Sequence, residues 1–525
     1  MASHLKLFLS MLLALPLPVS AQYAWQADAE AGKFDLGKGI TYKAELEGSF
    51  SHGKTPLWLN ANKHGLSSLE QENGYLRGAL IRPLATDTSR RWGVGYGVDV
   101  AVPAHYTSKL VLQQAFVEAR WLHGVLTMGS KEFPMELKNQ QLSSGSQTLG
   151  INARPVPQVR LALPEYWVLP FGRHWLRIKG HVAYGRLTDD NWQQGFAAGK
   201  NKYTENVLYH SKAGYLMIGN PDRFFPWSLE VGLEMASTFG GTIYSPKGDG
   251  TMNVIKGGTG LGDFWRAFMP GGGEVIEQGT AYQNAEGNQL GSWVMRLNYD
   301  ADTWRLGLYA DKFFEDHSAM LQLDYDGYGT GEAWNSREKR RYFVYDLKDW
   351  MFGMELNFKY NRWVRDVVVE YLYTKYQSGP VYHDHTPSSP VHISGQDNYY
   401  NHHIYPGWQH WGQAIGNPLY RSPLYNEDGS ISFKDNRFVA FHLGVDGAPT
   451  ERVGYRVLAT YQKGFGTYAY PYSKKHHNVS FMTEVTCRLN HGWNIRGAYG
   501  MDFGHILGHN HGFQLTVSKS GIFNL

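Results

Sequence analysis

Residues 377–426 hold the most unusual concentration of chemically capable side chains in the sequence. Within these 50 residues lie six histidines, eight tyrosines and tryptophans, and six prolines, but only three formally charged residues, Asp384, Asp397 and Arg421. A connection of this length is uncommon unless it is functional or disordered, and disordered segments contain few aromatic residues. The sequence therefore predicts a loop that folds onto itself and presents imidazole, amide and aromatic groups together.

This mixture of groups is typical of a sugar-binding surface. The apolar C–H face of a sugar ring packs on an aromatic side chain, whereas the hydroxyls need fixed hydrogen-bond donors and acceptors. The predicted stacking platforms are Tyr399, Tyr400, Tyr405, Trp408 and Trp411. The predicted hydrogen-bonding residues are Asp397, Asn398, Asn401, His402 and His410. A second interpretation stays open, in which the same residues only pack the loop as a plug.

Two shorter motifs add candidates elsewhere in the chain. Asn152 and Arg154 stand in the run Asn152–Pro157, where a buried arginine either anchors the loop by hydrogen bonds or binds an acidic sugar bidentately. Glu315, Asp316 and His317 follow a predicted strand that ends at Phe314. These three residues either contact a ligand or are polar side chains at the edge of a lumen.

Metal and catalytic interpretations have weaker support. The histidine-rich runs lack a CxxC or HExxH frame; they are His383-Asp384-His385, His402-His403, His476-His477 and His509-Asn510-His511. Ser394, Asp397 and His402 suggest a hydrolase, but no GxSxG elbow accompanies them. We therefore predict no metal site, no cofactor and no enzymatic activity.

The N-terminal residues indicate export. Lys6 precedes an apolar run from Leu7 to Leu17, and Val19-Ser20-Ala21 offers small residues for cleavage, so residues 1–21 read as a secretory signal peptide. Residues 22–39 are expected to form a periplasmic N-terminal segment with a short helix over Ala24–Ala31. A single cysteine, Cys487, forbids an internal disulfide.

Most of the remaining chain alternates apolar and polar residues with a period of two, which indicates strands. In 91–102, the side chains of Trp92, Val94, Tyr96, Val98, Val100 and Val102 share one face, opposite glycines and Asp99. No apolar run of 18 residues follows the signal peptide, so helical spans are not expected. Such a chain enters a bilayer only as a closed barrel, because every backbone polar group must be paired.

The connections between these segments alternate between short and long. Tight turns are predicted at His123-Gly124, Ala301-Asp302, Asn361-Arg362 and His491-Gly492, and long connections at 52–73, 131–156, 188–206, 240–289, 315–349 and 377–435. This alternation is typical of outer-membrane barrels, which have short periplasmic turns and long extracellular loops. The parity requires Met320–Tyr325, which has a strand-like sequence, to lie within a long loop.

The sequence thus predicts an all-β protein, a transmembrane antiparallel β-barrel of about 18 strands over residues 40–525. Its large extracellular loops are expected near 131–156, 240–289, 315–349 and 377–435. The predicted strands are 40–51, 74–83, 91–102, 109–122, 124–130, 157–163, 175–187, 207–219, 227–239, 290–300, 303–314, 350–360, 363–376, 436–446, 453–463, 478–490, 493–504 and 512–525.

Several of these motifs resemble the capsule-assembly Wzi family. The resemblance rests on Asn152–Pro157 and on the run from Tyr400-Asn401-His402 through Trp411-Gly412 to Ile415-Gly416-Asn417. Phe314–His317 and the ending of the final strand are similar to members from Bacteroidetes. The resemblance implies an 18-stranded barrel in the cell outer membrane that acts as a lectin and retains capsular polysaccharide at the cell surface.

The expected partners follow from this interpretation. They are capsular polysaccharide, outer-membrane lipid and the outer-membrane assembly machinery. Nucleic acid is not expected, because the net charge is only +3. The main alternative function is a porin or a saccharide-conducting channel, which the same polar lumen would permit.

Overall fold

The computed structural model describes residues 34–88, 90–220, 225–269, 287–315, 320, 349–377 and 397–523. The strands in chain order are β1 (Ile40–His52), β2 (Glu72–Arg82), β3 (Trp92–Ala104), β4 (Val111–Trp121), β5 (Gly124–Ser130), β6 (Gln158–Val168), β7 (Leu176–Arg186), β8 (Tyr203–Glu205), β9 (Leu208–Ile218), β10 (Trp227–Phe239), β11 (Thr242–Pro246), β12 (Met252–Lys256), β13 (Asn288–Asp300), β14 (Trp304–Phe314), β15 (Met351–Phe358), β16 (Asp366–Tyr373), β17 (Gln409–His410), β18 (Gln413–Ala414), β19 (Phe438–Gly447), β20 (Val453–Gly466), β21 (Pro471–Arg488), β22 (Trp493–Gly504) and β23 (His509–Phe523). The α-helices in these ranges are short and number three: α1 (Leu57–Asn60), α2 (Trp192–Ala197) and α3 (Leu261–Phe268).

Eighteen of these strands form one closed antiparallel barrel, as the sequence predicts. Each barrel strand pairs with the next barrel strand along the chain, and β1 pairs with both β2 and β23, which closes the sheet. Closure leaves no unpaired edge in the wall. The other five strands are not part of the barrel sheet: β8, β11 and β12 form a small sheet, and β17 and β18 form a hairpin.

The period-two pattern places apolar side chains outside and polar side chains inside. The exposed outward-facing side chains include Leu46, Leu76, Val98, Val117, Leu161, Leu308, Phe352, Phe441, Val485 and Leu515. Between them the polar side chains of Glu45, Glu47, Asp99, Glu118 and Gln514 are buried in the lumen. An apolar belt of this kind is stable in lipid, and the protein is an outer-membrane barrel.

The two ends of the barrel differ in their connections. Both ends of the barrel chain and the four tight turns predicted from the sequence lie together at one end, here called the short-turn end. The other end, here called the long-loop end, carries the six long connections 53–71, 131–157, 187–207, 240–287, 315–350 and 374–437. Exposed aromatic side chains ring the wall at the short-turn end, among them Trp121, Phe171, Trp227, Tyr360, Trp363 and Trp493.

Some predicted features fall outside the described residues. These are the signal peptide, the helix expected over Ala24–Ala31 and the segment 321–325. Residues 34–39 are described and pack at the short-turn end, where the Arg82 guanidinium donates to the Asp35 carbonyl at 2.9 Å and forms an ion pair with Asp87 at 2.8 Å. Within the described ranges no helix is long and apolar enough to cross a membrane.

Candidate functional site

The lumen is filled from the long-loop end by residues 131–157, here called the lumen loop. Its contacts include carboxylates of the barrel wall on β14 and β16. Asp311 accepts an ion-paired hydrogen bond from Lys138 at 2.9 Å. Glu370 accepts from the Ser143 hydroxyl at 2.5 Å and from the Ser144 backbone N–H at 2.8 Å. A buried carboxylate is costly unless it is paired, so these polar lumen groups hold the loop in place.

Residues 397–437, here called the lid, lie on top of the lumen loop. The Trp408 side chain is fully buried, and its indole N–H donates to the Thr148 carbonyl at 3.1 Å. The Asn417 side-chain amide donates to the Gly145 carbonyl at 2.9 Å. The lid and the lumen loop therefore form one hydrogen-bonded plug, although they are far apart in sequence.

An aromatic cluster forms the core of the lid. The rings of Tyr400 and Tyr420 stack with their centroids 4.0 Å apart, and Phe313 of β14 meets Tyr399 edge-on at 4.7 Å. All four side chains are fully buried. The Tyr400 backbone N–H also donates to the Glu315 carboxylate at 2.7 Å. Of the predicted platforms, Tyr399, Tyr400 and Trp408 thus lie inside the plug.

His410 joins three loops at the edge of the lid. Its Nδ1–H donates to the Arg154 carbonyl at 2.8 Å, and its Nε2 accepts from the Thr188 backbone N–H at 3.1 Å. This pattern requires the neutral imidazole. Burial lowers the pKa of His410 to about 4, and the nearby Arg154 cation acts in the same direction.

Arg154 is buried without a carboxylate partner among the described residues. Its guanidinium donates to the hydroxyls of Ser108 and Thr107, each at 2.9 Å, and lies 4.2 Å from the centroid of the half-buried Trp411 ring. Burial lowers the pKa of the guanidinium to about 10. These contacts tie the lumen loop to the 105–110 turn and to the lid.

Asn152 likewise links the lumen loop to two other loops. Its amide donates to the Ala414 carbonyl at 3.0 Å, and its oxygen accepts from the Asn62 backbone N–H at 3.1 Å. Asn401 is bound twice to the Phe433 backbone, at 2.9 and 2.8 Å. Both amides are thus engaged in holding loops together.

An open cavity of about 670 Å³ lies at the surface of the lid. Among its lining residues are four that the sequence predicts, Asn398, Asn401, His402 and Tyr405. The lid, two neighbouring connections and the start of β21 supply the rest of the wall, which includes Asn201, Lys202, Asp428, Lys434, Tyr470 and Tyr472.

The cavity combines aromatic faces with charged and amide groups. The Tyr470 side chain is 82% exposed, which makes its ring accessible to a ligand. Lys434 and Asp428 form an ion pair at 2.6 Å at the rim. Exposed aromatic rings beside fixed donors and acceptors suit a polyhydroxylated ligand.

A second cavity of about 450 Å³ lies in the lumen beneath the lumen loop. Its wall is strongly charged and includes Lys43, Glu45, Glu47, Lys63, Arg77, Arg456, Glu484 and Arg496. Many of these groups are paired, as Arg456 is with Glu484 at 3.0 Å. Gln140 and Gln141 of the lumen loop also line this cavity.

Comparisons with solved structures find similarity to outer-membrane proteins. Wzi, an outer-membrane protein involved in group 1 capsule assembly in Escherichia coli and a carbohydrate-binding β-barrel, aligns over 93% of this chain and 86% of its own, with a TM-score of 0.56 and 13% identity. OprD of Pseudomonas aeruginosa aligns over 94% and 98% with a TM-score of 0.45 and 11% identity. OccD3 of the same organism aligns over 93% and 92% with a TM-score of 0.43 and 8% identity. No family model and no curated protein matches the sequence. At 13% identity, the similarity to Wzi establishes the fold.

The structure places most of the predicted site residues either at the open cavity or in the plug. Those at the open cavity are Asn398, Asn401, His402 and Tyr405. Those in the plug or at its loop joints are Asn152, Arg154, Glu315, Tyr399, Tyr400, Trp408, His410 and Trp411. Asp397 is half-buried beside them, and Asp316 and His317 lie outside the described residues. As a binding site the whole set stays a prediction.

Sequence reasoning missed the part of the cavity that comes from other loops. Tyr470 lies in a connection of only four residues, 467–470, and Tyr472 lies at the start of β21, whereas the prediction relied on loop length. The available signal was the alternation of Tyr468, Tyr470 and Tyr472 at the start of a strand. Asn201 and Lys202 carry no comparable signal.

The metal and hydrolase interpretations gain nothing from the geometry. Ser394 and the His383–His385 run lie outside the described residues. In the ranges that the structure describes, no group of three or more His, Cys, Asp or Glu side chains is arranged to hold a metal ion.

Proposed function

We propose that this protein is an outer-membrane lectin that retains capsular polysaccharide at the cell surface. In this proposal the long-loop end faces outward and the 670 Å³ cavity on the lid binds the saccharide. The observation that carries it is the exposed Tyr470 ring beside Asn398, His402 and Lys434 in a single open cavity. The Wzi barrel, which is carbohydrate-binding and involved in capsule assembly, supports the choice of ligand. That the protein is of the Bacteroidetes type stays a prediction from the motif resemblance.

The plug supports retention over conduction. Lys138, Ser143 and Ser144 hold the lumen loop to buried carboxylates, and Trp408 holds the lid to the lumen loop. A rigid plug gives the cavity a fixed floor, and a preformed site loses less conformational entropy when a ligand binds.

Tyr470 provides a clean test, because its exposed side chain can be removed without opening the plug. An aromatic contact is worth about 0.5–1.5 kcal/mol beyond the area it buries, so Tyr470→Ala should weaken capsule binding by roughly 2- to 10-fold. The matched control is Tyr360→Ala, since Tyr360 is similarly exposed (79%) but lies at the short-turn end. Binding of purified capsular polysaccharide to both variants should be measured by calorimetry, beside the ratio of cell-bound to shed polysaccharide in complemented deletion strains.

The orientation is tested on the same strains. Epitope tags inserted at Asp249, in the turn between β11 and β12, should react with antibody on intact cells, whereas tags at Asn361 should not. Wild-type affinity in Tyr470→Ala, together with normal retention of polysaccharide on cells, would refute the lectin site as drawn.

A second candidate, a saccharide-conducting channel, is favoured by the charged 450 Å³ cavity beneath the plug. An 18-stranded barrel is wide enough to conduct if it is not blocked. The lectin proposal expects no large conductance steps from the intact protein in a planar bilayer, and steps only after both the lid and the lumen loop, which fills the lumen, are deleted. Large stable steps from the intact protein would favour the channel.

A further inference from the structure

Helix α3 lies against the outer surface of the barrel wall. On β10, Glu234 faces the lumen, where it accepts from the Tyr215 hydroxyl at 2.8 Å, so Phe239, five residues later, faces outward. The Phe264 ring of α3 meets Phe239 edge-on at 5.3 Å, and the Tyr184 hydroxyl of β7 donates to the Phe264 carbonyl at 2.8 Å. The Lys212 ammonium of β9 donates to the Phe268 carbonyl at the end of the helix. Three adjacent strands, β7, β9 and β10, therefore hold α3 on the outer surface of the barrel.

The helix has two apolar faces, and the wall covers only one of them. Phe264, Ala267 and Phe268 pack towards the wall. Leu261 and Trp265 lie four residues apart on one helical face, and Met269, the residue directly after α3, extends this stripe by a further four positions. Their side chains are 91%, 63% and 47% exposed. Single exposed apolar residues are common, but an aligned stripe of three large ones marks an interaction surface.

The height of α3 on the wall matches the edge of a bilayer. Strand β10 has 13 residues and begins at Trp227, in the aromatic ring of the short-turn end. At ~3.4 Å per residue and a tilt of ~40°, its far end at Phe239 lies about 30 Å higher along the barrel axis. The apolar band of such barrels is about 25 Å tall. On β7 the helix contacts Tyr184, which lies two residues beyond the exposed Val182 on the outer face. The helix therefore lies just above the upper edge of the apolar belt.

We propose that α3 is an interfacial membrane anchor, with Leu261, Trp265 and Met269 inserted among the lipids of the leaflet at the long-loop end. The stripe continues the apolar belt of the wall, which is already a lipid-contacting surface. Tryptophan is enriched at this depth because its ring is amphipathic. A helix of eight residues exposes too little apolar area for a stable dimer interface, which needs about 800 Å² per partner.

The anchor has a structural consequence for the cavity on the lid. The chain passes from β11 through β12 into α3, and β11 also pairs with β8. Asn201 and Lys202, which line the cavity, come directly before β8. Insertion of α3 in the bilayer would thus hold this side of the cavity at a fixed height above the membrane.

The test compares the depth of three labelled positions in lipid vesicles. In a Cys487→Ser background, the single substitutions are Trp265→Cys on the stripe, Leu161→Cys on the belt and Lys247→Cys in the β11–β12 turn. Each protein carries an environment-sensitive fluorophore and is reconstituted with phospholipids brominated on the acyl chains. Heat-modifiable electrophoretic mobility checks that each barrel has folded, and Met269→Cys replaces Trp265→Cys if that variant does not fold.

Quenching at position 265 should come within about twofold of that at position 161, whereas position 247 should be quenched little. Quenching at 265 as weak as at 247 would overturn the proposal. Energy transfer between labels at 265 that rises with protein density, without quenching by lipid, would also overturn it and assign the stripe to a second copy of the chain.

Discussion

Protonation of His410 should loosen the lid, because this side chain joins three loops only as a neutral ring. Its Nδ1–H donates to the Arg154 carbonyl and its Nε2 accepts from the Thr188 N–H. A second ring proton would place an N–H against the Thr188 N–H and a positive charge near the Arg154 guanidinium. Acid should therefore favour a state in which the lid leaves the lumen loop and His410 is solvated.

The size of this effect follows from the pKa shift. Burial lowers the pKa of His410 to about 4 from 6.5. A lowered pKa contributes docking stability that is present above pH 6.5 and is lost as the pH falls towards 4. Since one pKa unit corresponds to about 1.4 kcal/mol, the docked lid should lose about 2 kcal/mol between pH 8 and pH 5. The undocked population should then rise roughly 30-fold.

Hydrogen exchange of lid peptides, corrected for intrinsic rates, measures this population. The control is His410→Gln, which cannot titrate. It is needed because burial raises the pKa of Asp435 in the lid to about 7, so that acid adds docking stability through this group. The difference between wild type and variant isolates His410. An identical pH dependence of exchange in the two proteins would refute the reasoning.

Two further substitutions test the plug itself. Glu370→Leu removes the acceptor of the Ser143 hydroxyl, the Ser144 N–H and the Tyr309 hydroxyl. The lumen loop should lose about 1–3 kcal/mol of stability for each donor left buried. Proteolysis of residues 131–157 should become faster, and unchanged cleavage would count against the proposed anchoring. Trp408→Ala should weaken lid docking by about 3–5 kcal/mol, because the whole side chain is buried; lid hydrogen exchange should rise sharply, whereas the exposed Trp363→Ala should change nothing.

The barrel was predictable because its information is local. An outward-facing residue in a lipid belt must be apolar, so the alternation of Val98 and Val102 with Asp99 gives the strand and its faces directly. The parity of short and long connections then gives the number of strands and the end at which each loop lies. The predicted strand ranges differ from those of the structure by a few residues at most sites. The largest difference is at β21, which begins at Pro471 instead of 478.

The roles of the loop residues were not predictable, because they depend on contacts between distant segments. The composition of a long loop does not distinguish an aromatic residue that stacks on a ligand from one that packs inside the protein. Trp408 became a packing residue because its indole N–H reaches the Thr148 carbonyl, 260 positions away. Tyr470 lies in a short connection, and none of the segments that the structure describes covers its ring, so it remained exposed at the cavity.

The sequence by itself determined the barrel, since backbone pairing in lipid and a period of two leave one solution for such a chain. It also indicated a surface rich in aromatic and imidazole groups at the long-loop end. Only the tertiary structure decided which of those groups are buried against the lumen loop and which line the open cavity. The physical reason is that buried polar atoms must find partners, and for loops those partners lie on segments that only the closed barrel brings together.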